Sequence, residues 1–287
     1  MSFNSVIGVD ALAGLERESA AGGRAVLLDC RFDLTSPGAG RSAYAKAHIP
    51  GARYVDLNQA LASPPSPQSG RHPLPSPGAL AGFFDAAGIR DGTQVVAYDD
   101  VNGSIAARAW WTLRWLGHSR AAVLDGGFKA WVESGGAVES GEPIDAPRAP
   151  GHFKSRIRTS MVMSTADVRQ ALSDPQRLLV DARAAERFAG LVEPLDPVAG
   201  HVPGAVNQPF TGNLTAQGRF LPAAELRRLW LERLAGTDPA AAVMMCGSGV
   251  TACHNLLAME AAGLPGGKLY AGSWSEWIRD PARPVAR

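Results

Sequence analysis

The residues best suited to do chemistry lie in one short stretch, residues 241–253, which reads AAVMMCGSGVTAC. An apolar run leads directly into Cys246, as in a strand buried in a parallel sheet, and a helical pattern begins near Thr251. Cys246 is therefore expected at the carboxyl end of a strand, where open α/β sheets bind ligands. Gly247 and Gly249 allow the backbone N–H groups to turn inward, and the helix adds its positive end. This pattern favours a thiolate and predicts a nucleophilic cysteine; the alternative is a buried structural cysteine before an ordinary strand–helix turn.

The length and composition of the chain indicate an ordinary globular protein with two domains. It has 287 residues, of which 46% are hydrophobic and 19% charged. A net charge of +1 gives no reason to expect nucleic acid or an anionic membrane as a partner. The sequence shows neither a signal-peptide pattern nor an apolar stretch long enough to span a membrane. Cys30, Cys246 and Cys253 are too few for a disulfide framework or a zinc cluster, so we predict a reducing, cytoplasmic compartment.

The two halves of the chain share a set of landmarks in the same order, which predicts two copies of one fold. Short strands alternate with helical patterns in each half, which predicts an α/β fold whose mainly parallel sheets are flanked by helices on both faces. We expect a first domain over residues 1–138, a linker over 139–160 and a second domain over 161–287. The matching pairs of segments are VLLDCR and LVDAR, AHIPGARYVDL and GHVPGAVNQPF, VVAYD and AVMMC, and AVLDGGFKAW and KLYAGSWSEW.

The two copies differ at the position of the nucleophile. Asp99 in the first half corresponds to Cys246 in the second, so only the second half is expected to be catalytic. The first half would then support a site in a cleft between the domains, where ligands often bind. Residues 63–77, which are rich in proline and serine, predict a surface loop, and His72 lies in it.

With its tandem repeat, its DxR after a strand, its H-[IV]-P-G-A turns and its C-G-S-G-V-T-A-C loop, the chain resembles the two-domain sulfurtransferases of the rhodanese superfamily. Thiosulfate sulfurtransferases of that superfamily carry C-R-K-G-V-T-A, whereas 3-mercaptopyruvate sulfurtransferases carry C-G-S-G-V-T-A, as here. The resemblance implies tandem rhodanese-like domains and a ping-pong reaction. In it, Cys246 would take the outer sulfur of 3-mercaptopyruvate as a persulfide, release pyruvate and pass the sulfur to a thiol, such as that of thioredoxin, or to cyanide. No metal or organic cofactor is implied.

The resemblance also assigns roles to individual side chains and backbone groups. A set consisting of Ser248, His72 and Asp56 would move the proton of the substrate thiol, since a neutral histidine accepts a proton and a carboxylate orients its ring. The loop N–H groups would hold the negative sulfur, as preorganised donors hold a developing anion. The residues that supply them are Gly247, Gly249, Val250 and Thr251.

The substrate carboxylate requires a cation, and an arginine fork suits a planar carboxylate. Arg187 falls on the substrate arginine of the superfamily. Arg183 is a second candidate substrate-binding residue, although a local pairing with an acid that holds the loop is the favoured interpretation. The mercaptopyruvate branch carries a further arginine after a Glu-Pro dipeptide, where this chain has Leu195. Arg71, next to His72, is a candidate replacement, and the difference leaves thiosulfate open as the sulfur donor.

Three other functions are compatible with the same residues. The first is a thiosulfate:cyanide sulfurtransferase, and the second is a non-catalytic module that only carries the persulfide. The third, a cysteine phosphatase, fits poorly because its loop ends in an arginine and is one residue longer than the loop that ends here at Val250 and Thr251.

Three further residues are expected to be structural. Cys253 forms a helical stripe with Leu256 and Leu257, which indicates packing. His48 and His201 occupy matching turns in both halves, although only one half has the nucleophile, and we therefore expect neither to be catalytic.

Overall fold

The computed structural model describes residues 2–20, 25–36, 38–142 and 152–287. These form two compact units, one of Met1–Ser63 with Pro75–Arg158 and the other of Pro64–Leu74 with Thr159–Arg287. Segment 64–74 therefore belongs to the second unit, whereas a division at residue 138 assigns it to the first domain. Of the predicted linker 139–160, residues 143–151 lie outside the described residues.

The first unit contains a five-stranded parallel sheet in the order β1-β5-β4-β2-β3. Its strands are β1 (Val6–Ile7), β2 (Ala25–Asp29), β3 (Arg53–Tyr54), β4 (Gln94–Tyr98) and β5 (Ala121–Leu124). Its helices are α1 (Val9–Ala20), α2 (Ala39–Lys46), α3 (Leu57–Ala60), α4 (Pro77–Ala86), α5 (Ala106–Trp115) and α6 (Gly127–Glu133). Buried apolar residues of the sheet, among them Leu27 and Val96, form the core with α1 and α6.

The second unit has the same strand order, β6-β10-β9-β7-β8, and all its strand pairs are parallel. Its strands are β6 (Val162–Met163), β7 (Leu178–Asp181), β8 (Val206–Asn207), β9 (Ala242–Met245) and β10 (Lys268–Tyr270). Its helices are α7 (Thr165–Ala171), α8 (Ala185–Phe188), α9 (Ala223–Leu234), α10 (Ala252–Ala261) and α11 (Ser273–Trp277). The equal strand orders confirm the predicted duplication of an α/β fold. Among the helices of the described residues, none has the length and apolar character needed to cross a membrane.

A buried ion pair recurs at the end of the second strand of each unit. Arg31 bonds to Asp29 at 2.6 Å and Arg183 to Asp181 at 2.7 Å. In both units the same guanidinium donates to the carbonyl just before the H-[IV]-P-G turn, at 2.7 and 2.8 Å. The repeated DxR pattern therefore holds the turn against the end of the strand.

The two turn histidines are also structural in the same way. His48 stacks on Tyr44 and His201 on Phe188, with ring centroids 3.7 and 3.8 Å apart. Each Nδ1–H donates to the backbone carbonyl of its aromatic partner at 2.8 Å. The shared geometry agrees with the expectation that neither histidine is catalytic.

The loop after β4 encloses the carboxylate of Asp99, which is fully buried. Burial raises the pKa of this carboxyl above its ordinary value, even though the N–H donors oppose that shift. In the first unit, the inward-turned N–H groups thus surround a carboxyl group supplied by the chain itself. Two N–H groups donate to each carboxylate oxygen at 2.8–2.9 Å, and they come from Val101, Gly103, Ile105 and Ala106.

Replacing Asp99 with Asn tests this interpretation. The amide nitrogen of Asn cannot accept hydrogen bonds, so two buried N–H groups lose their acceptor and we expect a loss of about 2–4 kcal/mol in the free energy of unfolding. Urea denaturation measures it. Asp100→Asn is the matched control at the exposed neighbouring position and should change the free energy by less than about 0.5 kcal/mol. Equal effects of the two substitutions would contradict the role of Asp99.

Candidate active site

Cys246 directly follows β9 at the carboxyl end of the sheet, as the sequence predicts. The residue is buried, with 2% of its surface exposed. The N–H of Gly249 donates to the sulfur at 3.1 Å, so the loop turns this amide toward the thiol. Donation by the N–H groups of Gly247, Val250 and Thr251 to a sulfur anion stays a prediction.

Gly249 makes this turn possible through its backbone conformation. Its φ is +76°, in the left-handed region that favours glycine. A Cβ at this position would lie 2.3 Å from the carbonyl oxygen of Ala271. The Cys loop therefore packs directly on the backbone of the turn after β10, and only glycine fits there.

Ser273, which sequence reasoning missed, fixes the backbone of Cys246, the predicted nucleophile. It is fully buried and has a φ of +53°, which is rare for a residue other than glycine. Its hydroxyl accepts from the N–H of Cys246 at 3.0 Å and donates to the carbonyl of Tyr270 at 2.9 Å. Aligning the two repeats could have found it, because its counterpart Gly127 has a similar φ of +59°.

Segment 64–74 contacts α11 and the turn before it within the second unit. The N–H of Arg71 donates to the hydroxyl of Ser275 at 3.0 Å. Gly70 packs so closely that a Cβ would lie 2.6 Å from the carbonyl oxygen of Gly272. These contacts hold the residue that follows, His72, beside the Cys loop.

His72 and Ser248 form a hydrogen bond, with 2.7 Å between Nδ1 and Oγ. Both residues are 6% exposed, so His72 is buried and not a surface-loop residue as residues 63–77 suggest. The structure thus brings together two of the three residues predicted to move a proton. The third, Asp56, lies in the first unit, where its carboxylate caps α3 by accepting from the N–H groups of Asn58 and Gln59. Its contact with His72 stays a prediction.

Two guanidinium groups meet at the start of the Cys loop. Arg71 Nη2 lies 2.8 Å from the position that a Cβ on Gly247 would occupy, and Arg187 Nη2 lies 3.6 Å from it. The side chains of Arg71 and Arg187 are 28% and 18% exposed. The missing side chain of Gly247 therefore leaves room for two cations beside Cys246.

Two carboxylates hold these arginines. Glu193 Oε1 lies 2.6 Å from Arg187 Nη2. Asp196 bridges the pair, since it accepts from Arg71 and lies 3.4 Å from Arg187 Nη2. Burial alone would raise the pKa of Glu193, but hydrogen bonds from Arg187 and from the N–H of Leu195 outweigh it and lower the pKa. Leu195 itself is 44% exposed.

The guanidinium of Arg183 is held by protein groups on several sides. Its side chain is 1% exposed and bonds to Asp181, to Glu193 at 3.2 Å and to the carbonyl of Gly200. The guanidinium also lies over the ring of Trp274, 4.9 Å from its centroid. This geometry favours a positioning role for Arg183 over contact with a substrate.

The remaining cysteines are buried structural residues. Cys253 is fully buried in α10, and its thiol lies 3.4 Å from the carbonyl oxygen of Gly249, beneath the Cys loop. Cys30 is fully buried at the end of β2, and burial raises the pKa of its thiol well above the ordinary value. Neither thiol is placed as a nucleophile.

The Rhodanese-like domain family matches the chain twice, over residues 12–134 and 164–280. This protein belongs to the rhodanese superfamily of two-domain sulfurtransferases. A probable 3-mercaptopyruvate sulfurtransferase of Pseudomonas aeruginosa is 49% identical over 91% of this chain and 92% of its own. A putative thiosulfate sulfurtransferase of Mycobacterium tuberculosis is 40% identical over 93% of this chain and 92% of its own. The solved 3-mercaptopyruvate sulfurtransferase from Leishmania major superposes with a TM-score of 0.83 at 33% identity, covering 97% of this chain and 76% of that one.

Gly249→Ala tests the dependence of the site on its tight turn. The new methyl group meets the Ala271 carbonyl, whereas Gly236, which has a φ of +88°, has nothing within 4 Å of an added Cβ. Both substitutions cost the strain of a positive φ, so Gly236→Ala is the matched control. We expect Gly249→Ala to lower the free energy of unfolding by about 2 kcal/mol more than Gly236→Ala does, as measured by chemical denaturation. Equal losses would show that the close approach is unimportant.

Proposed function

We propose that this protein is a sulfurtransferase in which Cys246 takes the outer sulfur of 3-mercaptopyruvate as a persulfide and passes it to a thiol or to cyanide. The observation that carries the proposal is the hydrogen bond between His72 and Ser248, in the loop that begins at Cys246. A thiol substrate has a proton to lose, and this pair can accept and move it. Relatives in Pseudomonas aeruginosa and Leishmania major that are named for 3-mercaptopyruvate support the same substrate.

The first half-reaction follows from these positions. The Cys246 thiolate attacks the sulfur of 3-mercaptopyruvate, so an S–S bond forms and the C–S bond breaks. The electron pair of the C–S bond goes to carbon and gives the enolate of pyruvate. Ser248 and His72 carry the proton from the substrate sulfur, and the enolate takes up a proton to become pyruvate. The sulfur stays on Cys246 as an anionic persulfide, which an acceptor thiol or cyanide then removes.

The loop stabilises the sulfur anion by preorganised dipoles. The N–H of Gly249 already lies 3.1 Å from the Cys246 sulfur, so little reorganisation is needed when negative charge develops there. The amino end of α10 follows the loop at Ala252 and adds partial positive charge. The low exposure of Cys246 strengthens both effects by excluding water.

Arg71 and Arg187 bind the carboxylate of the substrate in this proposal. Each guanidinium presents a planar fork that matches a carboxylate. In the C-R-K-G-V-T-A loop of thiosulfate sulfurtransferases the cations belong to the loop itself, whereas here Gly247 has no side chain and the cations come from outside the loop. Arg71 thereby supplies the second cation that Leu195 does not.

Thiosulfate is the second candidate for the sulfur donor, with cyanide as acceptor. It is favoured by the relative in Mycobacterium tuberculosis that is named for thiosulfate. The persulfide on Cys246 is common to both reactions, but thiosulfate brings no thiol proton to Ser248 and His72. A reducing, cytoplasmic setting and a thioredoxin-like acceptor remain part of the proposal, because a persulfide is discharged by thiols.

Cys246→Ser tests the covalent step. A serine hydroxyl cannot form a persulfide, so pyruvate release from 3-mercaptopyruvate with a thiol acceptor should fall by more than about a thousandfold. Mass spectrometry of the unsubstituted protein after treatment with 3-mercaptopyruvate alone should show one added sulfur atom on Cys246. Cys253→Ser, in the packed helix beneath the loop, is the control and should retain the added sulfur. Turnover that survives Cys246→Ser would refute the mechanism, and an added sulfur without turnover would indicate a carrier module.

Ser248→Ala distinguishes the two sulfur donors. Without the hydroxyl, the proton of the substrate thiol cannot pass through Ser248 to His72. We therefore expect kcat for 3-mercaptopyruvate to fall by about a hundredfold. The rate with thiosulfate should change by less than about threefold, since no proton is moved from that donor. Steady-state kinetics with both donors measures the split, and Ser173→Ala at an exposed position is the control. Equal losses with both donors would contradict proton transfer by Ser248.

A further inference from the structure

The carboxylate of Asp196 lies between the two arginines proposed to bind the substrate. It accepts a hydrogen bond from Arg71, and its other oxygen lies 3.4 Å from Arg187 Nη2. Its side chain is 3% exposed. The carboxylate of Asp196 therefore lies where an anionic group of the substrate would approach the guanidinium groups of Arg71 and Arg187.

The ion-pair cluster around these residues is electrically balanced. Three arginines pair with three carboxylates through contacts of 4 Å or less, so their formal charges cancel. The arginines of this cluster thus offer N–H donors of fixed direction, but the cluster carries no net positive charge. The members of the cluster are Arg71, Arg183 and Arg187 with Asp181, Glu193 and Asp196.

We propose that Asp196 is a specificity-determining residue that favours singly charged carboxylate donors over doubly charged oxyanions such as thiosulfate. The inference rests on the proposed function, since it concerns the sulfur donor of the same site. The negative charge of Asp196 repels a dianion about twice as strongly as a monoanion at the same distance. The carboxylate of 3-mercaptopyruvate carries one charge and thiosulfate carries two, so the penalty falls mainly on thiosulfate.

The contacts of Asp196 distinguish a role in donor specificity from that of a purely structural ion pair. Its partners Arg71 and Arg187 are partly exposed, so water can solvate them when the carboxylate is neutralised. The backbone at this position is held independently, because the N–H of Asp196 donates to Glu193 Oε1 at 3.2 Å. Glu193 also keeps its own bonds to Arg187. Neutralising Asp196 therefore changes the charge of the site more than its shape.

Asp196→Asn keeps the shape of the side chain and removes the charge. We expect the ratio of kcat/KM for thiosulfate to kcat/KM for 3-mercaptopyruvate to rise on the order of tenfold. The ratio cancels any loss of arginine positioning that affects both sulfur donors equally. Glu232→Gln, which removes the same charge from an exposed position on α9, is the control and should leave the ratio unchanged. An Asp196→Asn ratio equal to that of the unsubstituted protein would overturn the proposal.

A binding measurement tests the same inference without turnover. In protein carrying Cys246→Ser, titration calorimetry compares the affinity for sulfate, a dianion, with that for pyruvate, a monocarboxylate. Adding Asp196→Asn should strengthen sulfate binding by about tenfold more than pyruvate binding, measured below the thermal unfolding midpoint of both proteins. Equal gains, or no gain for sulfate, would refute the role of Asp196. If the unsubstituted protein does not use 3-mercaptopyruvate, the proposed function fails, while the sulfate-to-pyruvate comparison still decides the inference.

Discussion

The contact between the Cys246 sulfur and the N–H of Gly249 is the constraint on which the rest of the site depends. The amide can face the sulfur only because Gly249 adopts a positive φ and lies against the carbonyl of Ala271. Ser273, itself in a strained conformation, fixes the backbone of Cys246 from the other side. The position of the Cys246 sulfur therefore depends on the close packing of two turns. Any displacement of β10 relative to β9 would change that packing.

The duplicated fold shows what this loop does in the absence of a nucleophile. In the first unit, four N–H groups donate to the carboxyl group of Asp99, which the chain itself provides. In the second unit the corresponding residue is Cys246, whose sulfur gains and loses a further atom in the reaction that we propose. Inward-turned N–H groups after the fourth strand are thus found in both units, and the residue at the start of the loop decides which atom they meet.

Local sequence patterns predicted the strands, the Cys loop and the repeat, because neighbouring residues determine each of them. Apolar runs and glycines located β9 and the loop at Cys246, and the repeat located the matching elements of both units. The position of His72 beside Ser248 followed only from the resemblance to the rhodanese superfamily, because the proline-rich segment has no periodicity that reports its contacts. The role proposed for Asp196 depends on arginines from two distant segments, which local patterns do not report. Ser273 is signalled in the sequence only by its alignment with Gly127 of the first repeat.

The ion-pair cluster connects the turn at Gly200 to the arginines that we propose bind the substrate. Arg183 holds the turn at Gly200 and shares Glu193 with Arg187, which faces the Cys loop. Because hydrogen bonds lower the pKa of Glu193 in spite of its burial, that carboxylate stays ionised and keeps both arginines in place. A buried charge can be retained only with such partners, so the groups that anchor the turn also fix the direction of the cation beside Cys246. If Arg71 and Arg187 bind the substrate as we propose, their side chains are already ordered by interactions that the fold itself needs, and binding costs less conformational entropy.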